Sequence, residues 1–474
     1  MFPASFQSVI IRGAENARTS GGFSVLIPVK YRTPSREEPV VNAIARTAIF
    51  VSCFLCLIES FPLPVDGQEG KKASNSPHHL FPDSRDKPLA GWSGPVFQLS
   101  QDYPSEKPTA EEYPWKKWDF KTQWKEYMRS VLDYCLEGNT EVDWVVQHNK
   151  VRRWYHAPWM HWGRNGREFI HGLTYEREAR PGELSQRQTS VFQNWAVGIY
   201  NGPGGYVIGK VWKDAENPDL ESARFPDGTV SIKLLFTQAP VDQVPYLKAS
   251  KEWDAYIYLT TTIPPDAQGS RMVASLRLLQ VDLAVRDSRA DETTGWVFGT
   301  FTYNGEINGR TPYDRLVPVG LMWGNDPRVT VAMVRNGTTL KETRINPSTD
   351  LPFQHLGWAG RLNGPVDNPI SSCLSCHSCA QWPAADPIVP PRTAKPDAIE
   401  WMRWFRNIRA DEPFTNGSRS LGYSLQLAVG IQNFYAWREV SITKGGHSNG
   451  PGAVQDMRLE HLPVKNFPFS RSGE

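Results

Sequence analysis

Hydrophobic and polar positions repeat with two different periods along the chain, and the change of period divides it. From residue 120 the side chains Phe120, Trp124, Met128, Val131 and Cys135 recur at steps of three and four, which sets them on one helical face. Gly138 stands where that helix should stop, and Cys135 on its apolar face reads as a small core residue rather than a ligand. From about residue 140 to 340 the period becomes two. Val230, Ile232, Leu234 and Phe236 alternate with Thr229, Ser231, Lys233 and Leu235, directly after the turn sequence Phe225-Pro226-Asp227-Gly228. Trp195, Val197 and Ile199 lead into Gly202-Pro203-Gly204-Gly205 and then Tyr206-Val207-Ile208, which predicts a hairpin. Further strands are expected from Glu252, Leu279, Gly295 and Arg328, the last ending at an Asn336-Gly337 turn. Few long helical patterns interrupt them, so the sheet should be mostly antiparallel.

After residue 380 the pattern loosens. PIVPPRTAKP is Pro-rich and irregular, and a short amphipathic helix follows with Ile399, Met402, Phe405 and Ile408 on one side. Leu421, Tyr423, Leu425, Leu427, Val429 and Ile431 then alternate with small or polar residues, a strand signal. The expected fold class is α+β and β-rich: a mostly antiparallel sheet body, a few helices and a C-terminal attachment segment.

Ahead of this body, residues 47–58 (TAIFVSCFLCLI) form a run of about twelve mostly apolar residues behind Arg46, the length of a secretory h-region and short of the roughly twenty that a membrane span needs. The expected organisation is a leader region over 1–66, a linker or extended arm rich in Pro, Ser, Lys and Asp over 67–115, a β-rich domain with an N-terminal helix over 116–365, and an attachment region over 366–474 that packs onto it. Cys53 and Cys56 would leave with the leader, and the mature chain would be periplasmic or secreted, without an integral membrane span.

Composition narrows the partners. Lys plus Arg number 52 against 50 Asp plus Glu, a balance that gives no reason to expect nucleic acid or an anionic membrane surface. Aromatics reach 12%, with 18 Trp, which fits aromatic cross-strand pairs in a β-rich core and, more sharply, a pocket for a flat cofactor. Six cysteines are too few to staple a chain of this size, so their clustering carries the information.

Residues 371–380 read SSCLSCHSCA, and Cys373-Leu374-Ser375-Cys376-His377 fits C-x-x-C-H. Two thioether bonds from one short helical turn reach the two vinyl groups of a haem, and the adjacent imidazole swings under the iron. The expectation is one covalent haem c held by Cys373 and Cys376, with His377 as axial iron ligand. Three rivals stay open. Cys373, Cys376 and Cys379 also open a ferredoxin-like run, but its fourth cysteine would fall at Pro383. A zinc site would need a remote fourth ligand such as Cys135. A redox dithiol would want a thioredoxin-like strand-to-helix setting, and that pattern is missing. Cys379 has no role beyond that of a buried thiol.

Through Cys373, Cys376 and His377 the chain resembles the c-type cytochromes, which implies covalent haem and redox chemistry. It also resembles the β-sheet haem cytochromes, the group of cytochrome c-prime-beta and the hydroxylamine-oxidising, lysine-cross-linked cytochromes. FPDGTVSIKLLF, then TGWVFGTFTY, then CLSCH follow their order of turn plus strand, aromatic strand and late haem motif. In the cross-linked members a lysine bonds to the macrocycle; Lys233 lies on a comparable strand, without a residue-by-residue match.

A Met opposite His377 would raise the potential and suit electron transfer, whereas an open position would suit substrate chemistry. Met402 is a candidate second axial ligand, although its place on the apolar face of a helix reads first as core; Met322 and His355 have no better claim. The stretch from His148 to His171 also holds His156, His161, Arg152, Arg153, Arg164 and Arg167. It reads either as a distal haem wall, propionate clamp or metal site, or as a loop of packed Trp and solvated Arg. The expected function is therefore electron transfer or redox chemistry at a single haem with a redox partner protein or a small-molecule donor or acceptor. The alternatives are a haem-dependent oxidoreductase or small-gas binder with an open distal site, and a Trp-rich β binding module whose cysteines hold a structural metal.

Overall fold

The structure is a computed structural model that describes residues 81–109, 112–163, 166–258, 271–348, 351–352 and 356–443. The expected leader, Cys53, Cys56, Arg164 and His355 lie outside the described residues. Residues 81–109 run without regular structure, but Phe81, Phe97, Leu99 and Tyr103 are buried against the body. The helical pattern becomes α1 (Trp124–Leu136), and Gly138 follows it at φ +75°, the left-handed position that a side chain disfavours.

The sheet is built from β1 (Thr174–Tyr175), β2 (Asn194–Tyr200), β3 (Val230–Thr237), β4 (Glu252–Tyr258), β5 (Arg271–Arg286), β6 (Trp296–Tyr303), β7 (Leu316–Met322) and β8 (Thr343–Ile345). Its order is β1-β2-β3-β5-β6-β7-β8, with every pair antiparallel. The long β5 pairs β4 through Arg271–Arg277 and β3 through Arg277–Val285. The β-rich α+β architecture expected from the period-two pattern is thus what the chain adopts.

Alternation then sorts side chains between two faces. Ile232, Leu234, Val281, Leu283, Val297 and Phe301 form one core cluster with Tyr127, Met128, Val131, Leu132 and Cys135 of α1. Trp296, Phe298 and Met322 join a second cluster on the other face, with Leu374, Tyr423 and Leu427 from the C-terminal part of the chain.

Three segments depart from the expected pattern. The Gly202–Ile208 stretch is not a hairpin turn but the start of α2 (Gly202–Val211): the Asn201 side chain accepts from the Gly204 N–H, and proline is tolerated in a first turn. The run from Arg328 is not a strand; Thr330 caps α3 (Val331–Arg335) by accepting from the Met333 N–H. The alternating run from Leu421 is not a strand either: a turn over residues 421–424 leads into a helix from Leu425. After α4 (Cys373–His377), β9 (Gln381–Trp382), α5 (Ile399–Met402) and β10 (Arg419–Ser420) comes α6 (Leu425–Thr443), with the Ser424 hydroxyl accepting from the Leu427 N–H. Its buried side chains, Leu427, Ile431, Phe434 and Trp437, recur at three and four. In the short helix around residue 400, Ile399 is 88% exposed, while Trp401, Trp404, Phe405 and Ile408 make a third cluster with Cys379.

Candidate haem-attachment site

Five residues make α4, and the sequence caps it at once. Ser372 accepts from the Ser375 N–H at 3.1 Å, and Ser375 accepts from the Ser372 N–H at 2.7 Å, a reciprocal capping box. Ser372 also donates to Asn325 Oδ1 at 2.8 Å, and the Cys373 N–H donates to the Leu362 carbonyl at 3.1 Å. The helix is therefore held at both its cap and its first residue.

Positions i, i+3 and i+4 share a helical face. On α4 these are Cys373, Cys376 and His377, all half-buried, whereas Leu374, Ser375 and Ser378 are buried behind them. Cys379 departs from this face: its thiol donates to the Ser375 carbonyl at 3.4 Å, and its side chain packs with Trp401, Trp404 and Phe405. Among the described residues no group of three or more His, Cys, Asp or Glu is placed to hold a metal ion directly.

The His377 ring lies 4.7 Å from that of Phe298, and its Nδ1 is 2.9 Å from the Tyr423 carbonyl oxygen. A carbonyl only accepts, so Nδ1 carries the hydrogen and the free lone pair sits on Nε2. Burial lowers the His377 pKa to about 4, which keeps the ring neutral. The carbonyl is aimed by unusual backbone: Gly422 has φ +59° and Tyr423 has φ +66°. Tyr423 is anchored by donation from its hydroxyl to the Ile408 carbonyl, and the next residue, Ser424, bonds the Tyr200 hydroxyl at 2.7 Å. A non-glycine residue held at positive φ is the kind of local cost that functional sites tolerate.

A polar row crosses the otherwise apolar sheet face beneath. Gly198, Lys233, Asp282, Thr300 and Gly320 stand in register across β2, β3, β5, β6 and β7. The Thr300 hydroxyl donates to Asp282 at 2.9 Å and lies 3.9 Å from Cys373 Sγ, so the row meets α4 at Thr300. Lys233 pairs with Glu176 at 2.9 Å. Burial opposes its charge, but Glu176, Asp282 and Asp367 outweigh burial and raise its pKa. The Asp282 carboxyl is pushed up as well, to about 7, by burial and then by Asp367, although Lys233, Gln280 and Thr300 act against both. The cysteine thiols are raised too, by burial first; for Cys373 the charges of Asp367 and Asp282 come next. Such surroundings oppose a thiolate, the form that a metal ligand or a redox dithiol requires.

Other expected candidates lie elsewhere. Met402 packs at the edge of the third cluster with Cys379 and touches none of Cys373, Cys376 and His377 among the described contacts. Met322 is buried and stands in register with Phe298, on the face that carries His377. His156 and His171 line a cavity of about 20 Å³ with Val197, Ile199 and Leu234, side chains on the sheet face opposite Lys233. His148 is exposed, and His161 is buried with neither ring nitrogen partnered among the described residues. Arg152 pairs with Glu137 at 2.6 Å, Arg153 pairs with Asp102, and Arg167 donates to the Ala157 carbonyl at 2.7 Å. These bonds give Arg152, Arg153 and Arg167 structural partners.

Sequence reasoning passed over Asp282, Asp367, Gln280, Thr300 and Tyr423. A faint signal was present in Val281-Asp282-Leu283-Ala284-Val285, where one acid interrupts an apolar strand. Compared with protein-family models, curated proteins and solved structures, the chain matches none.

Proposed function

We propose that the chain is an exported mono-haem c-type protein: Cys373 and Cys376 carry one covalent haem, and His377 is an axial iron ligand. The observation that carries this reading is the Nδ1 tie from His377 to the Tyr423 carbonyl, on the helical face that the two cysteines share. A ligating imidazole needs such a second bond to fix its tautomer and orientation. When bound, the haem would supply one-electron chemistry between ferric and ferrous iron. The chain's own part is to hold the imidazole neutral, to keep both thiols uncharged until attachment and to wall the site with Phe298 and the Lys233 row. Export rests on residues 47–58. Among the described residues no helix is long and apolar enough to cross a membrane.

The experiment is haem staining after denaturing electrophoresis of protein made in a host that attaches haem to C-x-x-C-H motifs. Staining lost stepwise in Cys373→Ala and Cys376→Ala supports the proposal; an unstained wild-type band overturns it. Electron transfer to a protein or small-molecule partner is the leading role. The charged row favours a second reading, a haem-dependent oxidoreductase or small-gas binder, because plain electron transfer has no need of half-buried carboxylates beside the cysteines. Low-spin, six-coordinate spectra select the first role, and high-spin iron that takes up carbon monoxide selects the second.

A further inference from the structure

The polar row holds an excess of acid that its own contacts do not neutralise. Glu176, Asp282 and Asp367 stand around a single ammonium, Lys233, which is already paired with Glu176. All four side chains are half-buried. Gln280 Nε2 donates to Asp282 Oδ1 and Oδ2 at 2.8 and 2.9 Å and to Asp367 Oδ2 at 3.2 Å. One amide group, with two hydrogens, thus serves three carboxylate oxygens. Among the described residues the other donors to the pair are Thr300 to Asp282 at 2.9 Å and the Gly364 N–H to Asp367 at 2.8 Å. Two carboxylates that share a donor in a half-buried place repel each other when both are ionised, and one added proton relieves the repulsion. Thr302 stands opposite Gln280 in the β5–β6 ladder, fully buried, and its hydroxyl has no partner among the described residues.

We propose that Asp282 and Asp367 form an acid–base pair that holds one exchangeable proton beside the cysteines and serves a small, hydrogen-bonding substrate whose protonation changes with its redox state. This rests on the haem reading above and selects its oxidoreductase form. The balance is one for one. An electron from a one-electron donor protein is matched by one proton from water, which converts the Asp282 carboxylate to the acid. Electron and proton then pass to the substrate together, and the carboxylate is restored. The charged and titratable groups that face the pair are Lys233 from β3, itself paired with Glu176 after β1, and Cys373, Cys376 and His377 from α4.

Two measurements on the full chain test the pair. Infrared spectra in light and heavy water should show a protonated carboxyl band that titrates near neutrality. The band should vanish in Asp282→Asn and move to lower pH in Asp367→Asn, which removes the like charge and keeps an acceptor for Gly364. Spectroelectrochemistry should show a midpoint potential that falls by up to about 59 mV per pH unit around neutrality, one proton per electron. That slope should flatten in Asp282→Asn. A wild-type chain without the band, or a slope that survives in Asp282→Asn, overturns the pair. The infrared result needs no colour: a colourless chain that keeps the band sinks the haem reading and supports the pair, whereas a coloured chain without it does the reverse.

Discussion

Replacing Ser372 by Ala tests whether α4 is held by its cap. The Ser372 side chain is fully buried and makes two bonds that alanine cannot, accepting from the Ser375 N–H and donating to Asn325 Oδ1. Loss of an N-cap costs about 1 kcal/mol. Asn325 is also fully buried, and leaving its oxygen without that donor costs about 1–2 kcal/mol more. The expected loss is therefore about 2–3 kcal/mol, read from the urea midpoint at unchanged slope. Because α4 has only five residues, it has little propensity of its own to fall back on. Ser372→Thr keeps the hydroxyl and should lose less than half as much. An alanine variant within about 0.5 kcal/mol of wild type, the behaviour of an ordinary surface change, would refute the reasoning. So would a threonine variant as unstable as alanine.

Other outcomes follow from the same contacts. Arg361 is fully buried and donates to the carbonyls of Asn325, Trp358, Asp326 and Val329 over the stacked Phe405 ring, so Arg361→Met should cost at least about 3 kcal/mol in urea denaturation. Lysine should not rescue it, because its point charge cannot serve that fork of acceptors. His161 has its pKa lowered to about 3, by burial and then by Arg167, so the stability it contributes is present above its ordinary pKa of 6.5 and is lost as pH falls towards 3. In His161→Phe, thermal melts from pH 7 down to pH 4 should show a shallower loss than wild type; an equal slope would contradict this. Met128→Ala, on the sheet face away from the cysteines, should cost about 2–5 kcal/mol while leaving the haem spectrum of the folded protein unchanged.

The sheet was legible because its strands carry their own signals. Val230–Thr237 follows a Pro-Asp-Gly turn whose Gly228 adopts φ +84°, and burial alternates over Val230–Leu234, while Leu235, Phe236 and Thr237 are buried on both faces. The C-terminal helix was misread because Leu425, Leu427, Val429 and Ile431 satisfy both periods over a short window. Only the extension to Phe434 and Trp437 breaks the tie. At α2 the glycines and Pro203 resembled a turn, and the deciding feature was the Asn201 cap one residue earlier. The grouping on α4 was legible as a local motif, since Cys373, Cys376 and His377 are neighbours in the chain. Its surroundings were not, because Asp282, Asp367 and Tyr423 reach it only through strand register and loop packing. A lone Asp or Lys on an alternating strand reads as solvent-facing until the segment that covers that face is known.

The measurement that bears most directly on the account is the intact mass of the full chain purified from a host that attaches haem, with peptide mapping across residues 371–380. The account predicts an added mass of one haem, resistant to acid and denaturant, on the peptide that contains Cys373 and Cys376. A chain at its bare polypeptide mass, with both thiols open to alkylation, would contradict it.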